Sequence, residues 1–323
     1  MTSLVSDPTL LPSPPDAAGT APVPAPPSAA VTAPAGTPET AGRAASPRRR
    51  AWRGAAARIT VSLSGVFLLA LLVAALFPGL LTRQDPVAVT LGVPLSPPSA
   101  GHPLGTDEAG RDVFSRLVHG AGASLGIGFG ATLIAVVGGA LVGLIAGLGN
   151  RLVDGFFMRA VDCLVAVPDL LLAMIVITVS GAGVVTALVA VGVAGIPSVA
   201  RIVRAQTHQV RVSPYIEAAR ILGLSRTTVA LRHVLPNAFR PLIPAVALRI
   251  GGAIGAGAGL SFLGLGAQPP RPEWGAMIST GRNFLVNDPL LVLWPALAIT
   301  LTVLATGTLG RALKRRLEGR DLA

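Results

Sequence analysis

Residues 122–148 read GASLGIGFGATLIAVVGGALVGLIAGL, without one charged side chain. A helix needs roughly 20 apolar residues to cross the hydrocarbon core of a bilayer, and this run exceeds that. Lipid offers no partner to an unpaired backbone group, so a helix that satisfies its own hydrogen bonds is the element such a run dictates. Further apolar stretches lie at about 59–81, 162–181, 183–204, 241–263 and 287–309. The alternation of barrel strands is absent. The sequence therefore predicts an all-α membrane protein with six transmembrane helices, the third and fourth divided by a turn at Ser180-Gly181-Ala182-Gly183.

Composition agrees. Of 323 residues, 51% are hydrophobic and 13% charged, against about 25% charged in soluble domains, and the mean hydropathy is +0.67. The net charge of +11 is not the footprint of a nucleic-acid binder, because the basic residues sit at the ends of apolar runs rather than along one soluble face. Residues 1 to about 45 are rich in Pro, Ala, Ser and Thr and cannot bury enough surface to offset their ordering entropy, so they read as disordered. Arg48-Arg49-Arg50, then Arg53 and Arg58, precede the first apolar stretch, which reads as an anchor and not as a removed signal peptide. The organisation expected is a disordered cytoplasmic tail at 1–50, a first helix with an extracytoplasmic segment at 51–121, a transmembrane core at 122–311 and a basic tail at 312–323.

Counting Lys and Arg outside the spans sets the orientation. With the N-terminus cytoplasmic, twenty fall on the inner side and five on the outer, with Arg249 inside a span. Both termini are then cytoplasmic, and the chain is a multi-pass protein of the cytoplasmic membrane. Small residues crowd the spans, as in Gly138-Gly139-Ala140 with Gly143 and Gly147, and their simplest role is close helix packing.

The stretch between the fourth and fifth spans is the most informative. In Ser213-Pro214-Tyr215-Ile216-Glu217-Ala218-Ala219-Arg220-Ile221-Leu222-Gly223, Ser213 suits an N-cap, Pro214 the first helical position, and Glu217 the first turn. Gly223 is placed to end the helix in a left-handed conformation. Ser225 then caps a second helix, Arg226 to about Val234, that stops before Pro236. Tyr215, Ile216, Ala219 and Leu222 form an apolar stripe suited to docking in a groove. The pattern Glu217-Ala218-Ala219, Gly223, Leu235-Pro236 resembles the EAA loop of ABC importer permeases, here within 205–240. His233 stands at a usually apolar position, and His-Val-Leu-Pro-Asn, ending at Asn237, is similar to the dipeptide, oligopeptide and nickel branch. The resemblance covers roughly 59–310; Gly122 stands where relatives often carry Arg, and the Lys314-Arg315-Arg316 ending also departs from the pattern.

That resemblance implies a type I importer permease fold. It implies a coupling loop made of Glu217, Ala218, Ala219, Gly223, His233, Leu235, Pro236 and Asn237. It also implies partners: a second permease subunit, two ATP-binding subunits and an extracytoplasmic solute-binding protein, around a membrane-embedded chain. The cargo implied is a di- or oligopeptide, with nickel or another chelated metal as the alternative. Two further stretches resemble the same branch. His102 to Arg116 resembles the segment leading into the second span; there Thr106 would cap a helix, and Val113, Phe114, Leu117 and Val118 would meet the membrane interface. Residues 260–275 resemble the segment after the fifth span, where Trp274 would otherwise serve as an interfacial anchor.

The only lysine, Lys314, is not in a phosphate-binding loop, so no cofactor is expected in this chain, and ATP with its Mg belongs to the partners. Lone Cys163 and the four scattered histidines give no metal cluster, and no nucleophile–base pair suggests an enzyme. Asp169 and Arg249 stand at membrane depth, where charges are costly. They either face a common translocation cavity or each meet another partner. An ion-coupled secondary transporter is the alternative from another class, with Asp169 as its only deep carboxylate.

Overall fold

The computed structural model describes residues 47–89, 93–317 and 319; the tail expected to be disordered at 1–45 lies outside them. The first helix, α1 (Pro47–Leu76), begins earlier than expected, so Arg48 to Arg50 belong to it and not to the tail. There follow α2 (Val113–Leu148), α3 (Arg151–Val165), α4 (Asp169–Ser180), α5 (Val184–Arg211), α6 (Pro214–Ile221), α7 (Arg226–Val229) and α8 (Leu235–Phe239). The chain continues through α9 (Leu242–Phe262), α10 (Trp274–Gly281) and α11 (Leu290–Leu317). Among the described residues there is no strand, only an isolated bridge between Thr106 and Asp112.

Residues 57–76 of α1, and all of α2, α5, α9 and α11, are long and apolar enough to cross a membrane. The third span expected at 162–181 is not one helix: α3 and α4 meet at 90°. Pro168 lacks an N–H and drives Val167 out of helical geometry, so the ladder breaks and restarts at Asp169. The 12 residues of α4 rise roughly 18 Å, short of the ~30 Å apolar core. Next to it, α3 is amphipathic, exposing Leu152 and Phe156 on one side and carrying Asp154 and Asp162 on another. The turn expected at 180–183 is present, with Gly181 at φ +85°.

The axis of the bundle is the pair α2 and α5, which run parallel. Gly139, Gly143 and Gly147 of α2 lie directly on Val199, Val203 and Thr207 of α5, so the backbones nearly touch. In lipid there is no hydrophobic drive between helices, and such close packing replaces it. Pro197 sits buried inside α5 and removes one rung of that helix's ladder. Antiparallel to the pair runs α9, which is itself backed by α11, while α1 lies outside with Ile59, Leu63, Val66 and Leu69 exposed as a lipid-facing stripe. At one end of the bundle α6 to α8 form a knob; at the other, residues 93–112 and α10 form a cap.

The cap departs from expectation. Thr106 does not start a helix; it is buried, donating to the Val93 carbonyl and accepting from the Ser96 N–H. The cap of α2 is Asp112, which accepts from Ser115 N–H at 2.7 Å and contacts His102 at 3.0 Å. Asp107 is buried between Arg111 and Arg116. Val113 and Val118 are likewise buried and not interfacial. Trp274 is no anchor either: it is 1% exposed, and its indole N–H donates to the Leu117 carbonyl. Glu273, also buried, caps α10 with both oxygens and accepts from Ser124 Oγ at 3.0 Å. Glu273→Ala strands those donors at a largely buried site and is expected to cost about 3 kcal/mol, since each abandoned buried group costs roughly 1–3. Thermal unfolding in detergent checks it: a melting temperature unchanged from wild type removes this account of the cap.

Candidate functional site

The knob grows directly from α5. Ser213 occupies the N-cap position of α6, but its hydroxyl donates back to the Val210 carbonyl and makes no cap hydrogen bond; its own carbonyl accepts from Ile216 and Glu217 instead. Pro214 and Glu217 stand in the first turn as expected. Gly223 has φ +81°, its N–H donating to Arg220 and that of Leu224 to Ala219, which ends α6 in a Schellman motif. Ser225 caps α7 through its Oγ to Thr228 N–H at 3.1 Å.

Beyond α7 the helix does not stop before Pro236. Ala230–Val234 forms a π-turn, with Leu235 N–H reaching back to Ala230, and the chain continues through Pro236 into α8. The wider turn removes the need for a donor at the proline position. Asn237 locks the passage by donating to the His233 carbonyl at 2.7 Å.

The expected docking stripe divides in two. Ile216 and Ala219 are buried with Val229 and Val234 in the knob's own core, which Val210 and Leu224 complete. The face left outward holds Tyr215, Ala218, Ile221 and Leu222, beside exposed Glu217 and Gly223. Pro236 is exposed, whereas His233, Leu235 and Asn237 are half-buried. A helix of this kind can present an apolar face rimmed by one carboxylate.

Basic residues of α5 fix the knob's stem. Arg204 grips Asp154 of α3 with two nitrogens, at 2.5 and 2.6 Å, and His208 stands 3.6 Å from the same carboxylate. Arg201 pairs with Asp162, and Arg211 donates to the Gly147 carbonyl at the end of α2, where a cation complements the helix dipole. Reading the sequence for motifs missed this clamp. The signal was the spacing of Arg201, Arg204 and His208, three and four residues apart on one helical face.

Between α4, α5 and α9, exposed Asp169 and half-buried Arg249 line one cavity. Its volume is about 230 Å³, and its other walls are Leu170, Ala173, Val191, Ala194, Gly195, Gly252, Ala253 and Ala256. Asp169 opens α4 just after the bend rather than lying inside a straight span. The two do not come within 4.0 Å of each other. Arg249 donates one nitrogen to Ser198 Oγ at 2.9 Å, and its buried Nε has no partner. Gly195 and Ser198 were not legible as cavity residues from sequence.

Residues 139–320 match the family model of the binding-protein-dependent transport system inner membrane component. The chain belongs to that family. Such permeases are the inner-membrane subunits of ABC importers, and the glutathione transport system permease protein GsiD of Salmonella typhimurium (strain LT2) is one relative. It is 43% identical over 274 residues, spanning 84% of this permease and 90% of the relative. The protein of the same name from Pectobacterium atrosepticum is 40% identical over 221 residues, 68% of this chain and 73% of its own. A solved structure titled as inward-facing MetNI methionine ABC transporter superposes with TM-score 0.51 at 20% identity, covering 63% of this permease and 95% of that chain. That likeness concerns the fold. Membership in the family sets the ion-gradient transporter aside and places the permease in the inner membrane.

Proposed function

We propose that this permease passes small peptides inward, with the knob on the cytoplasmic side and both termini there, driven by ATP hydrolysis in separate subunits. The partners are a second permease subunit, two ATP-binding subunits and an extracytoplasmic solute-binding protein; ATP and its Mg bind to the partners and no cofactor binds here. The observation that carries the reading is the outward face of α6, apolar at Tyr215, Ala218, Ile221 and Leu222, held on a stem pinned by Arg204 and Arg211. Glu217, Ala218, Ala219, Gly223, His233, Leu235, Pro236 and Asn237 belong to that knob as surface or as frame. Relatives named for glutathione, itself a peptide, favour peptide cargo over a chelated metal.

Mechanically, closure of an ATPase pair would move the two docked knobs, and the bundle would exchange inward and outward openings. The knob supplies differential contacts between two states, which is all that coupling requires. The test is uptake of radiolabelled dialanine and glutathione into proteoliposomes holding the permease with its cognate partners. Uptake is expected only with ATP and both ATPases. In a Cys163→Ser background, Tyr215→Cys should react with an impermeant maleimide from the cytoplasmic face alone. Uptake without any ATPase, or labelling from the outside, refutes the assignment.

A further inference from the structure

We infer that the cavity between α4, α5 and α9 recognises the two charged ends of a free peptide, Arg249 taking the carboxylate and Asp169 the ammonium group. The inference rests on the peptide reading above and deepens it to a binding site inside the permease itself.

Two opposite charges in a membrane-spanning bundle are ordinarily paired, because each is costly alone. Here they line one cavity without coming within 4.0 Å of each other. Ser198 occupies one nitrogen of Arg249, Nε has no partner, and Asp169 accepts no hydrogen bond from another described residue. Complementary groups that line one small cavity without pairing match a solute with a cation at one end and an anion at the other. A guanidinium is the group that meets a carboxylate with two parallel hydrogen bonds.

The remaining walls favour the same ligand. Leu170, Ala173, Val191, Ala194 and Ala253 are apolar and mostly small, so they offer nothing to distinguish one peptide side chain from another. The volume of about 230 Å³ falls below the roughly 300–1,000 Å³ of drug-sized ligand pockets. It therefore suits a short peptide and excludes a long one from lying wholly within it. The site selects for charged ends, and side-chain selection is left to another component.

Gly195 allows an independent test. A methyl group built there would overlap the Arg249 guanidinium, so Gly195→Ala displaces the arginine without removing its charge.

The experiment is ATP-driven uptake by the complete transporter of three probes at saturating concentration: dialanine, dialanine amide and N-acetyl-dialanine. Each variant is read as a ratio to wild type for the same probe, so that preferences of the binding protein cancel. Arg249→Gln should lower dialanine uptake roughly tenfold or more, the weight of a charge-assisted pair, while changing dialanine amide less than twofold. Asp169→Asn should show the mirror pattern with N-acetyl-dialanine. Gly195→Ala should copy Arg249→Gln, and Arg249→Lys should recover part of the loss. Equal fractional losses for all three probes mean a structural role only and overturn the inference, as does no loss at all. A wild-type transporter that takes up none of the peptides overturns the peptide reading, and this one with it.

Discussion

Replacing Gly143 by leucine is expected to leave almost no folded permease in the membrane. A Cβ at this position would stand 2.6 Å from the Ala200 carbonyl oxygen and 2.8 Å from Val203 Cβ. The first of these is backbone and cannot swing aside, so α2 and α5 must separate along a line that Gly139 and Gly147 also occupy. Packing is the main force joining helices in lipid, and parting this pair forfeits it over several turns. Overpacking alone costs about 1–3 kcal/mol; with the lost seam added, the penalty approaches the roughly 5–15 kcal/mol that holds a typical protein folded. The yield of monodisperse protein after detergent extraction measures this. Gly126→Leu is the control, since nothing lies within 4 Å of a Cβ there. Equal yields from the two variants would show that the seam does not hold the bundle.

The second large effect concerns the knob. Leu222→Asp is expected to abolish uptake while the protein inserts and folds normally. Leu222 is 79% exposed at the end of α6 and beside Tyr215, so a carboxylate there costs the monomer little. Against a docked ATPase the same charge is buried without a partner. Central apolar contacts of this kind are worth about 2 kcal/mol or more, a loss of some thirtyfold in affinity. Co-purification of the ATPase with the permease reads the loss directly. Ile216→Asp makes the contrast: Ile216 is fully buried in the knob's own core, so that variant should melt the knob and expose it to protease. If Leu222→Asp keeps its ATPase, α6 is not the docking element.

Five of the six expected spans, and the presence of a two-part loop between the fourth and fifth, were legible because they rest on local chemistry. Uncharged runs longer than the bilayer core can only be helices, and Gly223 must be left-handed to end α6 where it does. What failed was decided at a distance. Pro168 could be read as a kink, but the 90° break at Val167 depends on where α4 packs, on Ala187, Ala190 and Val191 of α5. Pro236 looked like a stop because local rules cannot foresee a π-turn that makes room for it. Ile216 and Ala219 looked like contact residues because a stripe does not say which side its partner is on; Val229 and Val234, from the same loop, took them. Trp274 shows the same thing at the other end, where the Leu117 carbonyl takes the indole N–H of a side chain that composition alone would send to the interface.

The unbroken course of α5 has a mechanical meaning. The same helix borders the cavity at Gly195 and ends at Arg211 beside the knob, a distance of roughly 24 Å at 1.5 Å per residue. Its ladder lacks a rung only at Pro197, near the cavity. From Val199 to Arg211 the helix is pinned to α2 and α3, so that part moves with them as one piece, and the missing rung adjoins Ser198, the partner of Arg249. On the proposed function, a stroke delivered at the knob would reach the bundle beside that cavity and not in the membrane around it.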